Sequence, residues 1–209
     1  MAIDRTSKFA FVELHRKALR KTAADFLRHL VEAVPYKINI VLTEPSLVRH
    51  WFKPNGGGTH FTTPGAGGSA AALIAAALAK GEPVWAHAFE YACATLGIQH
   101  RTTKPKHPWS HEDQKTIRGI VFLNGGQVER MNRTIKDATV KRFPYDAHDQ
   151  LRSHLADFLR AYNFGRRLKT LKGLTPDEFI CKCWTSQPER FTLNPLHQMP
   201  GLYPAPLVV

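Results

Sequence analysis

The stretch 125–136, which reads GGQVERMNRTIK, constrains the fold most because its polar and apolar residues separate onto two sides of a helix. At 100° per residue, Asn132, Arg133 and Lys136 fall within about 60° of Glu129. The apolar side chains gather on the opposite side, where a core would take them: Val128, Met131, Ile135 and Ala138. This segment therefore predicts an amphipathic helix with one acid, one amide and two cations along its polar side.

Two interpretations of this polar side are open. A carboxylate such as Glu129 can hold Mg²⁺, and neighbouring cations can hold a phosphate backbone. An ordinary solvated helix face with internal ion pairs has the same pattern, and such stripes are common. The spacing alone favours the second interpretation.

Composition shifts this balance towards a polyanionic partner. The chain has 209 residues, with 29 Lys and Arg against 17 Asp and Glu, and a formal charge of +12. Such a chain attracts nucleic acid first and anionic membrane second. The longest apolar run, at 70–79, is too short to span a bilayer, and the start lacks a signal-peptide core. Three cysteines without pairing spacing indicate a reducing compartment, so we expect a cytoplasmic protein with no membrane partner.

Patterns along the chain alternate between strands and helices. Strands are predicted at 8–15, 37–42 and 98–103, with a local extension at 119–123. Helices are predicted at 22–34, 70–80, 86–96, 127–142 and 147–162. This order is typical of an α/β domain, which we expect over residues 1–191. Residues 192–209 contain four prolines and are predicted to form an extended tail.

A second acid, Glu44, comes directly after the predicted strand 37–42. In open α/β sheets, chemistry tends to sit at the carboxyl ends of strands, so Glu44 is expected to meet Glu129 there. Two acids around Mg²⁺ or Mn²⁺, in a basic protein, are the arrangement that phosphoryl transfer on DNA or RNA requires. The residues expected to bind DNA cluster around the acid helix: Lys104, Lys106, Arg130, Asn132, Arg133, Lys136 and Arg142.

Six stretches carry a family resemblance: AIDRTSKFAFVELHRKA, YKINIVLT, NGGGTHFT, GIQHRTTKPKHPW, NGGQVERMNRTIKD and YNFGRRLKTLKGLTP. In this order they resemble the integrase core of insertion-sequence transposases, above all the bacterial group called IS481-like, which is related to retroviral integrases. The resemblance implies a ribonuclease-H-like fold, a mixed sheet flanked by helices. It also implies a polynucleotidyl transferase with three acids and divalent metal, in which water or a DNA 3′-hydroxyl attacks a phosphodiester in line. Such a protein would act beside the bacterial nucleoid.

The acids of this chain depart from the family pattern. The third acid maps onto Glu129, but the second normally sits in a Thr-Asp-Asn-Gly motif. Here Thr43 is followed by Glu44, and Asn55 comes only after the segment 45–54. The first acid belongs on a strand before residue 1, and Asp4 lies on the hairpin strand that follows, where we expect a surface or turn acid.

The resemblance therefore implies a core truncated and incomplete at its first strand and interrupted twice, by 45–54 and around 110–123. Two functions stay open. One is strand transfer on DNA by Glu129 and Glu44 with weakly bound Mg²⁺ or Mn²⁺. The other is a catalytically dead module that binds DNA or a full-length transposase. A homo-oligomer is an expected assembly in either case.

Other residue groups give weaker signals. His100, His107 and His111 have no zinc-site spacing, and we expect solvent-facing or DNA-facing imidazoles. The pair Cys181 and Cys183 is expected to be idle thiols at a loop or helix end. Tyr162 is expected in the core and Asn163 as a helix cap.

Overall fold

A computed structural model describes residues 1–16, 20–43, 70–82, 84, 88–102, 119–123 and 126–197. Five strands form one mixed sheet in the order β2-β1-β5-β3-β4. The antiparallel part joins β1 to β2 and to β5, and the parallel part joins β3 to β5 and to β4. The strands are β1 (Ala2–Asp4), β2 (Ala10–Phe11), β3 (Ile40–Thr43), β4 (Gln99–Thr102) and β5 (Ile120–Phe122).

Six α-helices accompany the sheet in the described part of the chain. They are α1 (Arg20–Ala33), α2 (Ala70–Ala79), α3 (Ala88–Thr95), α4 (Gly126–Ala138), α5 (His148–Arg160) and α6 (Pro176–Ser186). A π-helical turn, Ala161–Gly165, continues α5. None of these described helices combines the length and the apolar character that a membrane crossing needs.

Two apolar clusters pack on the sheet, because successive strand residues point to opposite faces. The first contains Val41 of β3 with buried residues of α1, α3 and α6, among them Leu27, Phe89 and Ile180. The second contains Leu42 of β3 with residues of α4 and α5, among them Met131 and Phe158. The result is a mixed α/β fold, a five-stranded sheet flanked by helices, compatible with a ribonuclease-H-like integrase core.

Most predicted elements are confirmed to within a few residues, but two segments differ. The predicted strand 8–15 is wrong at its bounds, because the chain forms Ala2–Asp4 and Ala10–Phe11 around a turn. Helix α6 was not predicted, although Thr175 caps it through a reciprocal bond with Glu178. That pair is the capping-box signature, which can be read from sequence. Residues 192 and 193 donate backbone bonds to the Pro35 carbonyl, and the 192–209 tail boundary stays a prediction.

The short strand β5 is held in place by the backbone around Gly119. The Gly119 carbonyl accepts from Asn39 N at 2.9 Å and from Ile40 N at 3.1 Å. Gly119 has φ +61°, and a Cβ added there would overlap the Lys37 carbonyl oxygen. Glycine is therefore required at this position, both for its backbone angle and for the close approach of the two chain segments.

Asn163 joins the π-helical turn to the edge strand β2. Its Oδ1 accepts from Ala10 N at 2.9 Å, and its Nδ2 donates to Ala10 O at 2.8 Å. The expectation of a helix cap is therefore wrong, because the buried side-chain amide of Asn163 pairs with the backbone of the edge strand β2 instead. Tyr162 is buried in the second apolar cluster, as predicted.

Replacing Gly119 with alanine should destabilise the fold by about 2–5 kcal/mol, since it adds a left-handed backbone penalty to a backbone clash. Gly97→Ala is the matched control, because Gly97 has φ +66° with nothing within 4 Å of an added Cβ. The control should lose only about 1–2 kcal/mol in denaturant unfolding. Equal losses in the two variants would show that the approach of Lys37 to Gly119 does not constrain β5.

Candidate nucleic-acid interface on the acid helix

Helix α4 is fixed to the sheet by its apolar side. Val128 and Met131 are buried against Ile3 and Ala10 of the hairpin and Tyr162 of the π-helical turn. The opposite side carries the polar residues, and all of them are exposed: Glu129, Asn132, Arg133 and Lys136. The predicted amphipathic helix is confirmed, with its acid in the first turn.

Among the described residues, Asp137 is the acid of α4 that forms an ion pair, with Lys141 beyond the helix end at 2.7 Å. Glu129 and Arg133 are four residues apart, yet no ion pair joins them. Neither they nor Lys136 form an ion pair with any other described residue. Arg130 donates to the Gly126 carbonyl instead. Within the described structure, one carboxylate and two cations are therefore available to a ligand on one helix side.

Three predicted site residues, Glu44, Lys104 and Lys106, lie outside the described residues. The meeting of Glu44 with Glu129 and the DNA contacts of Lys104 and Lys106 stay predictions. Arg142, beyond the end of α4, is exposed, as are the cations of the helix itself. Within the described ranges, no group of three or more His, Cys, Asp or Glu side chains could hold a metal ion.

Asp4 is a turn acid, as predicted, but it is buried rather than on the surface, with 2% of its area exposed. Its Oδ1 accepts from Thr6 N at 3.0 Å, Ser7 N at 2.6 Å and Ser7 Oγ at 2.8 Å. Its Oδ2 is buried without a hydrogen-bond partner among the described residues. Burial raises the pKa of Asp4, although its hydrogen bonds to Ser7 and Thr6 act in the opposite direction.

The expectation of a solvent-facing or DNA-facing His100 is wrong, because His100 is 3% exposed. Its Nδ1 lies 2.5 Å from Glu90 Oε1 of α3, and its Nε2 lies 2.7 Å from Thr43 Oγ1 of β3. His107 and His111 lie outside the described residues. Sequence reasoning missed Glu90 and Thr43, although an acid within the apolar run of α3 was a visible signal.

The three cysteines are free thiols. Burial raises the pKa of Cys181 to about 11, so little thiolate forms at neutral pH. Cys183 is buried in the first apolar cluster, on α6 rather than in a loop. The expectation that this pair is chemically idle fits these environments.

The comparison with family models identifies part of the chain. Residues 114–176 match the model of the integrase core domain. This range contains β5, α4, α5 and the π-helical turn, and hence the exposed acid Glu129. No curated protein and no solved structure matches the chain. The match supports an integrase-like domain in this part of the chain.

Asp4→Asn should keep or increase stability at neutral pH. The raised folded pKa means that Asp4 favours folding most at low pH, and this contribution is lost as pH rises through that pKa. An amide oxygen keeps the three accepted bonds without a buried charge. Thermal melting from pH 3 to 8 should show the variant gaining on the wild type as pH rises.

Asp4→Ala is the control for the turn bonds, and it should be about 1–3 kcal/mol less stable than Asp4→Asn at every pH, because it leaves the Thr6 and Ser7 donors without an acceptor. A wild type that gains stability over Asp4→Asn as pH rises would contradict the assigned direction of the Asp4 pKa.

Duplex DNA binding should weaken in the double variant Arg133→Gln, Lys136→Gln. The slope of log affinity against log salt should fall by about two units, one for each phosphate that the variant no longer neutralises. The matched control is the double variant that combines Lys21→Gln with Lys37→Gln. It removes the same charge from two exposed lysines away from α4. Equal slopes for both double variants would show that DNA responds to net charge alone and not to the α4 surface.

Proposed function

We propose that this chain acts on DNA as an integrase-type core, with Glu129 as a metal-holding acid of a polynucleotidyl transferase site. The observation that carries the proposal is the integrase core match over 114–176, which contains an exposed carboxylate beside two cations, all three unpaired among the described residues. The finer assignment to an IS481-like transposase rests on the sequence resemblance alone.

Glu129 and Glu44 are the residues proposed to hold Mg²⁺ or Mn²⁺, which prefer oxygen ligands. The metal would activate the attacking oxygen and steady the leaving one during phosphodiester transfer. Leu42 faces the cluster that contains α4, and Glu44 follows it by two positions in the sequence. This pattern supports pairing Glu44 with Glu129, although Glu44 lies outside the described residues.

The proposed DNA surface follows α4 and the residues around it. Arg130, Asn132, Arg133, Lys136 and Arg142 are all exposed, and Lys104 and Lys106 are added from the sequence. Cations of this kind neutralise phosphates without reading base sequence, so binding would be sequence-tolerant and sensitive to salt. The net charge of +12 adds a long-range attraction for the same partner.

A second candidate function is a catalytically dead module that binds DNA or a full-length transposase. The observation that favours it is the place of β5, which pairs with β1 where the family's first strand would pair. The three residues of β5 are Ile, Val and Phe, so this strand itself carries no acid. We infer that β5 occupies the place of the family's first strand without its carboxylate.

The altered second acid, Glu44, also favours the catalytically dead module. Glu44 is one methylene longer than the aspartate of the family, and a misplacement of about 1 Å can cost about a hundredfold in rate. An assembly with a full-length transposase would bring in a complete set of acids, whereas a homo-oligomer would only repeat the acids of this chain. The two inserted segments, 45–54 and around 110–123, belong to the same proposal.

Strand transfer on pre-nicked element ends decides between the two functions. We expect no measurable transfer by the isolated chain, because β5 carries no acid and Glu44 is one methylene longer than the aspartate of the family. Mn²⁺ should raise the melting temperature only at about millimolar concentration, since so few protein oxygens bind it. Glu129→Gln should abolish this rise and leave DNA affinity equal or slightly higher.

Glu32→Gln is the matched control, because Glu32 is an exposed acid on α1 without a described partner. It should leave the Mn²⁺ effect unchanged. Transfer by the wild type that Glu129→Gln removes would establish the enzyme over the binding module. A melting shift at micromolar Mn²⁺ that survives Glu129→Gln would remove Glu129 from the metal site.

A further inference from the structure

The polar side of α4 continues past the end of the helix into an exposed aromatic residue. Counted from Glu129 at 100° per residue, four residues fall within about 40° of it: Arg133, Lys136, Val140 and Phe143. Backbone hydrogen bonds of helix or turn spacing continue beyond α4 as far as residue 143, at 2.9 to 3.0 Å. The side of α4 that carries the acid and the cations therefore leads into two apolar side chains.

Val140 and Phe143 are exposed to 50% and 46% of their areas. A single exposed apolar residue needs no explanation. These two, however, lie on the charged side of an amphipathic helix whose apolar side buries Val128 and Met131. Packing within the described structure therefore does not account for them, and they form a surface that a partner can contact.

The ring of Phe143 is held in place by two further aromatic residues. His154 of α5 lies against it, with ring centroids 5.2 Å apart and planes at 66°. The Nδ1 of His154 lies 2.5 Å from the Tyr145 hydroxyl, which fixes the imidazole in turn. A ring held in this way loses little freedom when a flat partner stacks on its open part.

Cations dominate the chain around this ring. Residues 130–146 carry five cations against two acids. One of the acids, Asp137, is paired with Lys141 at 2.7 Å, and the other is Asp146. Lys136 and Arg142 are exposed and form no ion pair with described residues. A partner that fits this surface carries negative charge and a flat apolar face, and nucleic acid offers both in its phosphates and bases.

We propose that Phe143 is a stacking platform for an unpaired base of DNA, with Lys136 and Arg142 on the neighbouring phosphates. The inference rests on the proposed function and narrows its substrate to DNA with an unpaired stretch. In a duplex the faces of the bases are covered by their neighbours, whereas a single strand can stack its bases on an aromatic side chain. Phe143 lies roughly 20 Å along the helix axis from Glu129, so this contact is separate from the proposed metal site.

A second copy of the chain is the competing occupant of this surface. A twofold contact through Phe143 would bring the same cations, Lys136 and Arg142, of both copies together, and like charges repel. Two exposed apolar side chains also fall far short of the roughly 800 Å² per partner that a stable interface buries. Charge and area therefore both favour DNA.

Two fluorescein-labelled probes test the proposal by anisotropy: a blunt DNA duplex, and the same duplex with a single-stranded oligothymidine extension. Phe143→Ala should weaken binding of the extended duplex about tenfold or more, the size of a lost base–aromatic stack. Its affinity for the blunt duplex should stay within about twofold of the wild type, because phosphate contacts remain. Phe143→Tyr keeps the ring and should bind as the wild type does, whereas Phe143→Leu keeps apolar volume alone and should resemble Phe143→Ala.

Tyr91→Ala is the matched control, because Tyr91 is an aromatic residue with 39% of its area exposed, on α3 and hence on the other face of the sheet. It should change neither affinity. A direct readout is the emission of 2-aminopurine placed in the extension, which stacking quenches. Saturating wild type should lower this emission, and saturating Phe143→Leu should not.

The outcomes separate the stacking role from the proposed function. If Phe143→Ala binds the extended duplex as the wild type does, or loses equally on both probes, the stacking role is overturned and DNA binding stands. A wild type that binds neither probe overturns the proposed function and the stacking role with it. A wild-type dimer in sedimentation velocity that Phe143→Ala converts to a monomer assigns this surface to a second copy and overturns the proposal.

Discussion

The three-residue strand β5 is the structural link on which the sheet depends. It is bonded to the antiparallel hairpin through β1 and to the parallel pair through β3, so it joins the two halves. Its register is fixed at both ends by backbone bonds. At one end the Gly119 carbonyl accepts from Asn39 and Ile40, and at the other Leu123 N donates to the Leu42 carbonyl. Ile120 and Val121 of β5 are buried, and these backbone bonds and the glycine contact add to that burial in determining where the strand lies.

Strand β3 connects this part of the sheet to the candidate site, because its two faces contact different helices. Val41 and Thr43 face α1 and α3, where His100 is hydrogen-bonded to both Glu90 and Thr43. Leu42 faces the second cluster, in which Val128 and Met131 anchor α4. Helix α4 and the hydrogen-bonded pair of Glu90 and His100 therefore contact the same strand from opposite sides. A shift of β3 along its axis would disturb both at once.

The sequence predicted long periodic elements well and short or buried polar ones poorly. Helix α4 spans more than three turns, so its 3.6-residue period is unmistakable. The hairpin strands have two and three residues, too few to show a period, and although Asp4 was expected in a turn or at the surface, its burial beside Thr6 and Ser7 was not predicted. His100 was grouped with loop histidines, yet it stands two residues after the buried Ile98 and so shares its face. The partnership of His100 with Glu90 is tertiary and leaves no spacing rule to read.

The exposed charges of α4 bear on how metal and DNA would act together. On the proposed assignment, Glu129 offers one carboxylate, and Mg²⁺ bound by one or two carboxylates usually completes its coordination with substrate phosphates and water. A phosphate held by Arg133 and Lys136 would bring such oxygens to the same helix side. Each partner therefore lowers the cost of binding the other: the phosphate adds ligands to the metal, and the metal offsets the repulsion between Glu129 and the phosphate. On the proposed assignment, a site too poor in protein oxygens to hold a divalent ion alone would bind metal and DNA cooperatively.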